Sequence, residues 1–193
     1  MAGGGTRLPP PPRAAYSCRM NASPDIRDAV AADAEGIAAI YNHAVRHTTA
    51  IWIDTPVDVA NRAAWLAGVQ RQGYPVLVAV DAAGGVLGYA AFVDWRPFDG
   101  RSHTVEHSIY IRHDARGRGV GKALMEALIA RARALGKHVM VAAIDAGNPA
   151  SLALHKTLGF REVGLLPQVG MKFGLWLDLA FLQLTLDDRA TPD

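Results

Sequence analysis

The sequence predicts an α/β (α+β) fold, one mixed sheet with helices on both faces. Two observations predict it. Strand-like and helix-like stretches interleave in the order β α α β β β α β α β β, with a hairpin in the middle. A glycine-rich turn, Arg116-Gly117-Arg118-Gly119-Val120-Gly121-Lys122, stands between an apolar strand and an amphipathic helix. The chain has 193 residues, half of them hydrophobic, which suits one globular domain with a full core.

Taken in order, residues 1–24 stand apart. They hold Gly3-Gly4-Gly5, Pro9-Pro10-Pro11-Pro12, three arginines and no acid. There is no apolar core of the kind a signal peptide needs, and the prolines would spoil an amphipathic transit helix. The stretch reads as a disordered tail with Met20 as an alternative start; a basic targeting peptide is the second reading. The folded domain is expected over 25–188, with a short tail at 189–193.

Residues 26–30 read as the first strand. Asp33 is expected to cap a helix that buries Ile37, Ile40, Tyr41, Ala44 and Val45 at helical spacing. Asp58 caps a second helix over 59–71, ended by Gly73. Between them, Ile51-Trp52-Ile53-Asp54-Thr55-Pro56 is an apolar loop, expected to form a pocket wall. Residues 76–80 and 86–95 are strands joined by the turn Asp81-Ala82-Ala83-Gly84-Gly85. A loop follows at 96–100, then a strand at 104–111. After the glycine turn, a helix over 123–135 buries Leu124, Leu128, Ala132 and Leu135, and Gly136 closes it. Residues 139–144 are wholly apolar and read as a central strand. Asn148-Pro149 opens a helix reaching Leu158, with Gly159 after it. Residues 161–166 and 175–186 are the last strands, and 168–176 includes an apolar connection.

Some classes are excluded. The formal net charge is only +2, with no basic run interleaved with aromatics, so nucleic acid is a poor partner. The single cysteine, Cys18, rules out an intrachain disulfide and any Cys-based zinc site; no metal is expected. No apolar run reaches the ~18 residues of a membrane span, and a cytoplasmic protein is expected.

The glycine turn asks for a phosphorylated ligand. Its glycines let the backbone approach a ligand, the following helix contributes a partial positive charge, and Arg116, Arg118 and Lys122 add full ones. The Rossmann pattern fails because Lys122 stands where its third glycine belongs. The P-loop fails twice, at Arg116 and at Ala123. The remaining pattern, [RQ]-x-x-G-x-[GA], is met by Arg116, Gly119 and Gly121. It resembles the acetyl-CoA loop of the Gcn5-related N-acetyltransferase (GNAT) superfamily, whose element order the chain follows from Ile26 to Asp187. The resemblance implies a mostly antiparallel sheet.

Further stretches resemble one branch, the phosphinothricin and methionine sulfoximine N-acetyltransferases. They are Ile26-Arg27-Asp28-Ala29, Tyr41-Asn42-His43-Ala44-Val45, Thr48-Thr49-Ala50-Ile51-Trp52, Trp95-Arg96-Pro97-Phe98, Thr104-Val105-Glu106-His107-Ser108-Ile109-Tyr110, Leu154-His155-Lys156-Thr157-Leu158-Gly159-Phe160 and Gln168-Val169-Gly170-Met171-Lys172-Phe173-Gly174. The resemblance implies that Ile109, Tyr110 and Ile111 pair with the pantetheine arm of acetyl-CoA. The pyrophosphate then sits on the amides of Gly117, Arg118, Gly119, Val120, Gly121 and Lys122. Asn148 serves as a cofactor contact, a helix cap, or both.

Glu106 is the candidate base, because an ammonium has no lone pair until a proton leaves it. His155 stands where many members carry a tyrosine that protonates the leaving thiolate; it could do that or act as the base. Arg96, Pro97 and Phe98, with Glu106, His107 and Ser108, are the candidate substrate contacts. Arg101 departs from the branch, being followed by Ser102-His103 where relatives carry a glycine-loop arginine nearer Thr104.

The expected activity is acetyl transfer to the α-amine of a small amino acid analogue of methionine sulfoximine, methionine sulfone or phosphinothricin type. Another amine, a protein N-terminus, or a non-catalytic acyl-CoA-binding module are the alternatives. A homodimer is implied by the family.

Overall fold

The computed structural model describes residues 24–96 and 98–192. The expected N-terminal tail, with Cys18 and Met20, and the substrate candidate Pro97 lie outside the described residues. The elements are β1 (Asp25–Asp28), α1 (Ala34–His47), α2 (Val59–Arg71), β2 (Val76–Val80), β3 (Val86–Asp94), β4 (Thr104–Ile111), α3 (Val120–Ala134), β5 (Val139–Asp145), α4 (Pro149–Thr157), β6 (Arg161–Lys172) and β7 (Leu175–Thr185). The seven strands form one sheet in the order β1-β2-β3-β4-β5-β7-β6. Every neighbouring pair is antiparallel except β4 and β5, which run parallel.

Strand alternation builds a core on each face. Val76, Val78, Val80, Tyr89 and Ala91 meet Ile37, Ile40, Leu66 and Val69 of α1 and α2. Leu77, Ala79, Ala90 and Phe92 meet Leu124, Met125, Leu128 and Ala132 of α3 on the other side, where Leu152, Leu154 and Leu158 also pack. The close approach of α1 to β3 depends on Gly36: a Cβ there would lie 2.7 Å from a Val86 methyl.

The parallel pair is the exception that shapes the molecule. β4 and β5 pair only at Thr104 with Val139, Val105 with Met140 and Glu106 with Val141. Both strands continue beyond that point, and they part. β5 lies inside the sheet, as its apolar sequence predicts.

Caps fall where the chemistry asks for them. Asp58 accepts from the Asn61 amide at 2.7 Å, and Asn148 from the Ser151 amide at 3.1 Å, with Pro149 next to it. Asp33 is different. A short 3-10 turn, Ala31–Asp33, precedes α1, and the Asp33 carboxylate turns back to the Val30 amide at 2.8 Å. It also takes a bidentate pair from Arg27 at 2.7 and 2.8 Å. It ties β1 to the helix start and does not cap α1.

The first strand is Asp25–Asp28, two residues short of its expected end, and larger differences lie further along the chain. Helix α3 begins at Val120, so Val120, Gly121 and Lys122, expected in the glycine turn, form its first turn. Leu135, expected in the core, is 48 % exposed because the helix ends at Ala134. Strand β6 runs on to Lys172, so most of the expected apolar connection is strand. Pro167 and Gly170 read as breakers, but β6 is a sheet edge, where a missing amide costs little. The strand accommodates a bulge between Leu166 and Gly170, with Gln168 at φ 53° and its amide bonded to Asp178 at 2.7 Å. At the C-terminus, Arg189 anchors the final residues by donating to the Gly136 carbonyl at 2.5 Å.

Gly36→Ala tests the α1–β3 contact. It is expected to destabilise the fold by about 1–3 kcal/mol, read from urea unfolding midpoints, because Val86 belongs to β3 and has little room to retreat.

Candidate active site

Beyond Glu106 the edge of β4 that faces β5 has no strand partner, while β3 still pairs its other edge as far as Ile111. A cleft of about 380 Å³ opens here. Ile40, Ala44, Thr48 and Ala50 wall it from α1 and the loop after it. Ile109, Tyr110 and Ile111 line it along β4, and Asn148, Ser151 and Leu154 close it from α4. Arg116, Gly117, Gly119, Gly121 and Lys122 form its far end.

The glycine loop has the form an anion site requires. Gly117 and Gly119 sit at φ 72° and 80°, the left-handed region that side chains resist. Gly119 is the residue before α3 and puts no side chain on the helix end, so among the described residues no cap side chain bonds the first-turn amides of α3. At Gly121 a Cβ would come within 3.3 Å of Leu154, so this position keeps the cleft open where α3 nears α4. Most cofactor candidates therefore converge. Arg118 does not line the cleft, and the Val120 side chain is buried in the core, leaving only its amide to serve.

A smaller cavity of about 160 Å³ continues from the cleft and shares Ala50, Ile109, Tyr110, Asn148 and Ser151 with it. Glu106, His107, Ser108, Asp145 and His155 line it. Alternation along β4 sends Glu106, Ser108 and Tyr110 to the α1–α2 face, and His107, Ile109 and Ile111 to the α3–α4 face. Glu106 and His155 thus approach the parted strands from opposite sides. Burial pushes the Glu106 carboxyl above the usual carboxylate range, against a smaller opposing pull from Arg96. Among the described residues its carboxylate makes no hydrogen bond or ion pair.

His155 and His107 form a buried pair. Their Nε2 atoms are 3.1 Å apart and the rings lie within 15° of parallel. His155 Nδ1 is 2.7 Å from the Ser151 carbonyl, which can only accept, so that nitrogen carries a proton. In the neutral ring Nε2 is then the acceptor, and His107 donates to it. Burial beside His155 pushes His107 down to about 3, and burial also lowers His155, so both rings are neutral at pH 7. The His107 Nδ1 is left without a partner among the described residues.

The 96–103 loop stands outside both cavities. Arg96 is exposed, with its guanidinium 5.5 Å from the Trp95 ring, and Phe98 is 64 % exposed. Arg101 stacks between Trp95 and Phe98, 5.2 Å from each ring. Of these, only Arg96 reaches the site, through the field it exerts on Glu106.

The loop over 48–57 meets the cavities through Thr48 and Ala50; the apolar stretch 51–56, expected as a pocket wall, lines neither, and its Ile51 is buried with Tyr41, Ala44 and Val45 instead. Its ties were not visible in the sequence. Asn42 exchanges two hydrogen bonds with Val57 at 2.7 and 2.9 Å. Thr49 donates to Asp145 at the end of β5, and Lys172 of β6 to the Ile51 carbonyl. Trp52 lies directly over Gly170. Asp145 is the site residue that sequence reading missed, since its partner is 96 positions away.

Comparison with known proteins bears on the same features. Residues 37–160 match the acetyltransferase (GNAT) family. The chain belongs to the GNAT acetyltransferase family. Among its GNAT relatives is an L-methionine sulfoximine/L-methionine sulfone acetyltransferase of Pseudomonas paraeruginosa, 64 % identical over 171 residues, which span 88 % of this chain and 99 % of the relative. A phosphinothricin N-acetyltransferase of Alcaligenes faecalis is 42 % identical, with 83 % of each chain covered. The solved structure of yncA from Salmonella typhimurium, with its cofactor acetyl-CoA, superposes with a TM-score of 0.85 at 53 % identity, covering 89 % of this chain and 99 % of that one. The GNAT fold is thus seen with acetyl-CoA in a close relative.

The loop geometry is testable. Gly119→Val meets no atom of the protein within 4 Å, so its effect comes through the φ of 80°. Forcing a branched residue there costs roughly 1–2 kcal/mol, which is expected to displace the loop and weaken acetyl-CoA binding about tenfold or more. Calorimetry on the folded variant checks it, and unchanged affinity would remove the loop from the site.

Proposed function

We propose that this protein is an acetyl-CoA-dependent N-acetyltransferase whose acceptor is the α-amine of a small amino acid analogue, of the methionine sulfoximine and methionine sulfone type. What supports the reading most directly is one observation: a half-buried carboxylate, Glu106, stands where β4 and β5 part, at a cavity continuous with a glycine-loop cleft. The names of the relatives agree with it. The inner cavity, about 160 Å³, suits a small acceptor better than a protein N-terminus. The same reading puts the enzyme in the cytoplasm, beside its acetyl-CoA supply.

The residues divide the work. Gly117, Gly119 and the first-turn amides of α3 hold the pyrophosphate, and the free edge of β4 at 109–111 pairs with the pantetheine arm. Asn148 caps α4 through its carbonyl oxygen, and its amide group remains to contact the cofactor. Bound acetyl-CoA supplies the acetyl group as an activated thioester. Glu106 takes a proton from the substrate ammonium, directly or through water, and so exposes the amine lone pair. Its raised pKa suits it to this, since a stronger base near neutral pH takes the proton more readily. Arg96, whose charge acts on Glu106, offers a cation for the acidic end of the substrate. His155 is assigned as the acid for the departing thiolate. In the neutral pair its Nε2 is an acceptor engaged by His107, so to act as the acid it must first lose that contact and take up a proton from solvent at Nε2.

We also propose a homodimer. β6 and β7 expose Leu165, Val169, Met171, Leu175 and Trp176, and exposed apolar side chains gathered in this way often mark an interface. The face adjoins the Trp52 loop, so pairing there would also support the site wall.

Glu106→Gln is expected to lower turnover by about 10² to 10⁴, with acetyl-CoA affinity nearly unchanged. The wild-type rate falls as pH drops through the raised pKa of Glu106; in the variant this acidic limb moves up toward the pKa of the amine itself. His155→Phe is expected to slow turnover and leave the limb in place. An unaltered profile and rate in Glu106→Gln would send the search for the base elsewhere. The dimer is checked by light scattering at micromolar concentration, where a monomer mass would reject it.

A further inference from the structure

A third cavity, of about 310 Å³, lies between α1 and the turn after β4, and shares Ile40 and Ile111 with the cofactor cleft. His43 of α1 and His113 of the turn line it, and His47 stands beside His43. The His43 ring stacks on that of His113, with centroids 4.4 Å apart and planes 18° apart. The His47 ring lies 4.7 Å from His43, one helical turn along α1. His113 belongs to the short turn that feeds into the glycine loop, and Arg116 acts on His43 through its charge. Among the described residues none of the three rings has a hydrogen bond or an ion pair. The acid on this turn, Asp114, is taken by Arg112 at 2.6 Å. The cluster therefore sets three imidazoles beside the charge of Arg116 at the phosphate end of the cleft, with no anion bonded to the rings among the described residues.

We propose that the His43–His47–His113 stack, with Arg116, is a phosphate-monoester subsite, and that it takes the ribose 3′-phosphate of coenzyme A. The proposal rests on the acetyl-CoA reading of the cleft. The pyrophosphate on the loop amides holds the nucleotide end of the cofactor near this turn, and the 3′-phosphate is the remaining anion to be placed. A phosphate dianion supplies the charge that the stack lacks, and protonated imidazoles supply N–H donors to it.

The site responds to pH. Its charged and titratable groups are His43 and His47 from α1, Arg112, His113 and Asp114 from the turn, and Arg116 from the loop; Val86 of β3 adds none. Without a ligand, burial, then His113, His47 and Arg116, hold His43 below its usual value. A bound dianion opposes those effects and favours the charged form of His43. Affinity for the 3′-phosphate must then rise as pH falls from about 8 to about 6.5, a range in which the phosphate, with its second pKa near 6, keeps most of its double charge.

The experiment compares coenzyme A with 3′-dephospho-coenzyme A by calorimetry at about pH 6.5 and about pH 8. Wild type is expected to prefer coenzyme A about fivefold at the lower pH, a size typical of exposed charge pairs, and less at the higher. His43→Gln/His113→Gln is expected to lose the preference at both while binding the dephospho form as before. The single variant His113→Gln, at an exposed position, is expected to lose part of the preference and serves if the double variant does not fold. Failure of wild type to bind either ligand overturns the cleft reading and the subsite together. Equal binding of both by wild type, a preference that does not shrink toward pH 8, or a preference kept in the variants overturns the subsite alone.

Discussion

The parting of β4 and β5 is the constraint on which the rest depends. Parallel strands ordinarily satisfy one another along their whole length. Here the ladder stops at Glu106 and Val141, and the backbone beyond it is left with one free edge inside the protein. Such an edge is costly unless something else meets it. The glycine loop that follows β4 and the start of α4 that follows β5 are both brought to that gap by chain connectivity alone. One broken ladder therefore leaves an open slot, with the glycine loop at one end and Glu106, His107 and His155 at the other.

The two faces of the sheet at that end differ in electrostatic character because the strand alternates. On the α1–α2 side, Glu106 is half-buried and unpaired, with a distant arginine as its counter-charge. On the α3–α4 side, His107 and His155 satisfy each other and stay neutral. A carboxylate destabilised by burial, facing a neutral imidazole pair across the gap, separates a proton-accepting side from a side that resists charge. Two groups brought to similar pKa values would compete for the same proton; here their environments move the carboxylate up and the imidazoles down.

Much of this was legible in the sequence, and the reasons for success and failure are specific. The strands and helices announced themselves through period-2 and period-3.6 patterns, and Asp58 and Asn148 cap as short-range chemistry dictates. Glu106, His155 and the glycine loop were found because each lies in a stretch whose residues resemble those of a known branch. Failures came where distant contacts decide. Asp33 looked like a cap until Arg27 claimed it. The His107 pairing could not be read, because nothing local says which way a strand histidine faces. Pro167 and Gly170 disguised β6, since a breaker in an edge strand breaks nothing. Asp145 and Lys172 hold the 48–57 loop from positions far along the chain.

The bulge in β6 has a consequence for solubility. A long outer strand with a hydrophobic face is ordinarily a template on which further strands can add without limit. In this one, Pro167 supplies no amide and Gln168 turns to φ 53°, giving its own amide to Asp178. The run of free donors and acceptors is thereby interrupted near its middle. At the opposite margin of the sheet, β1 is only four residues long. Both margins of the sheet thus offer an added strand little to pair with, which disfavours strand-by-strand growth into a fibre.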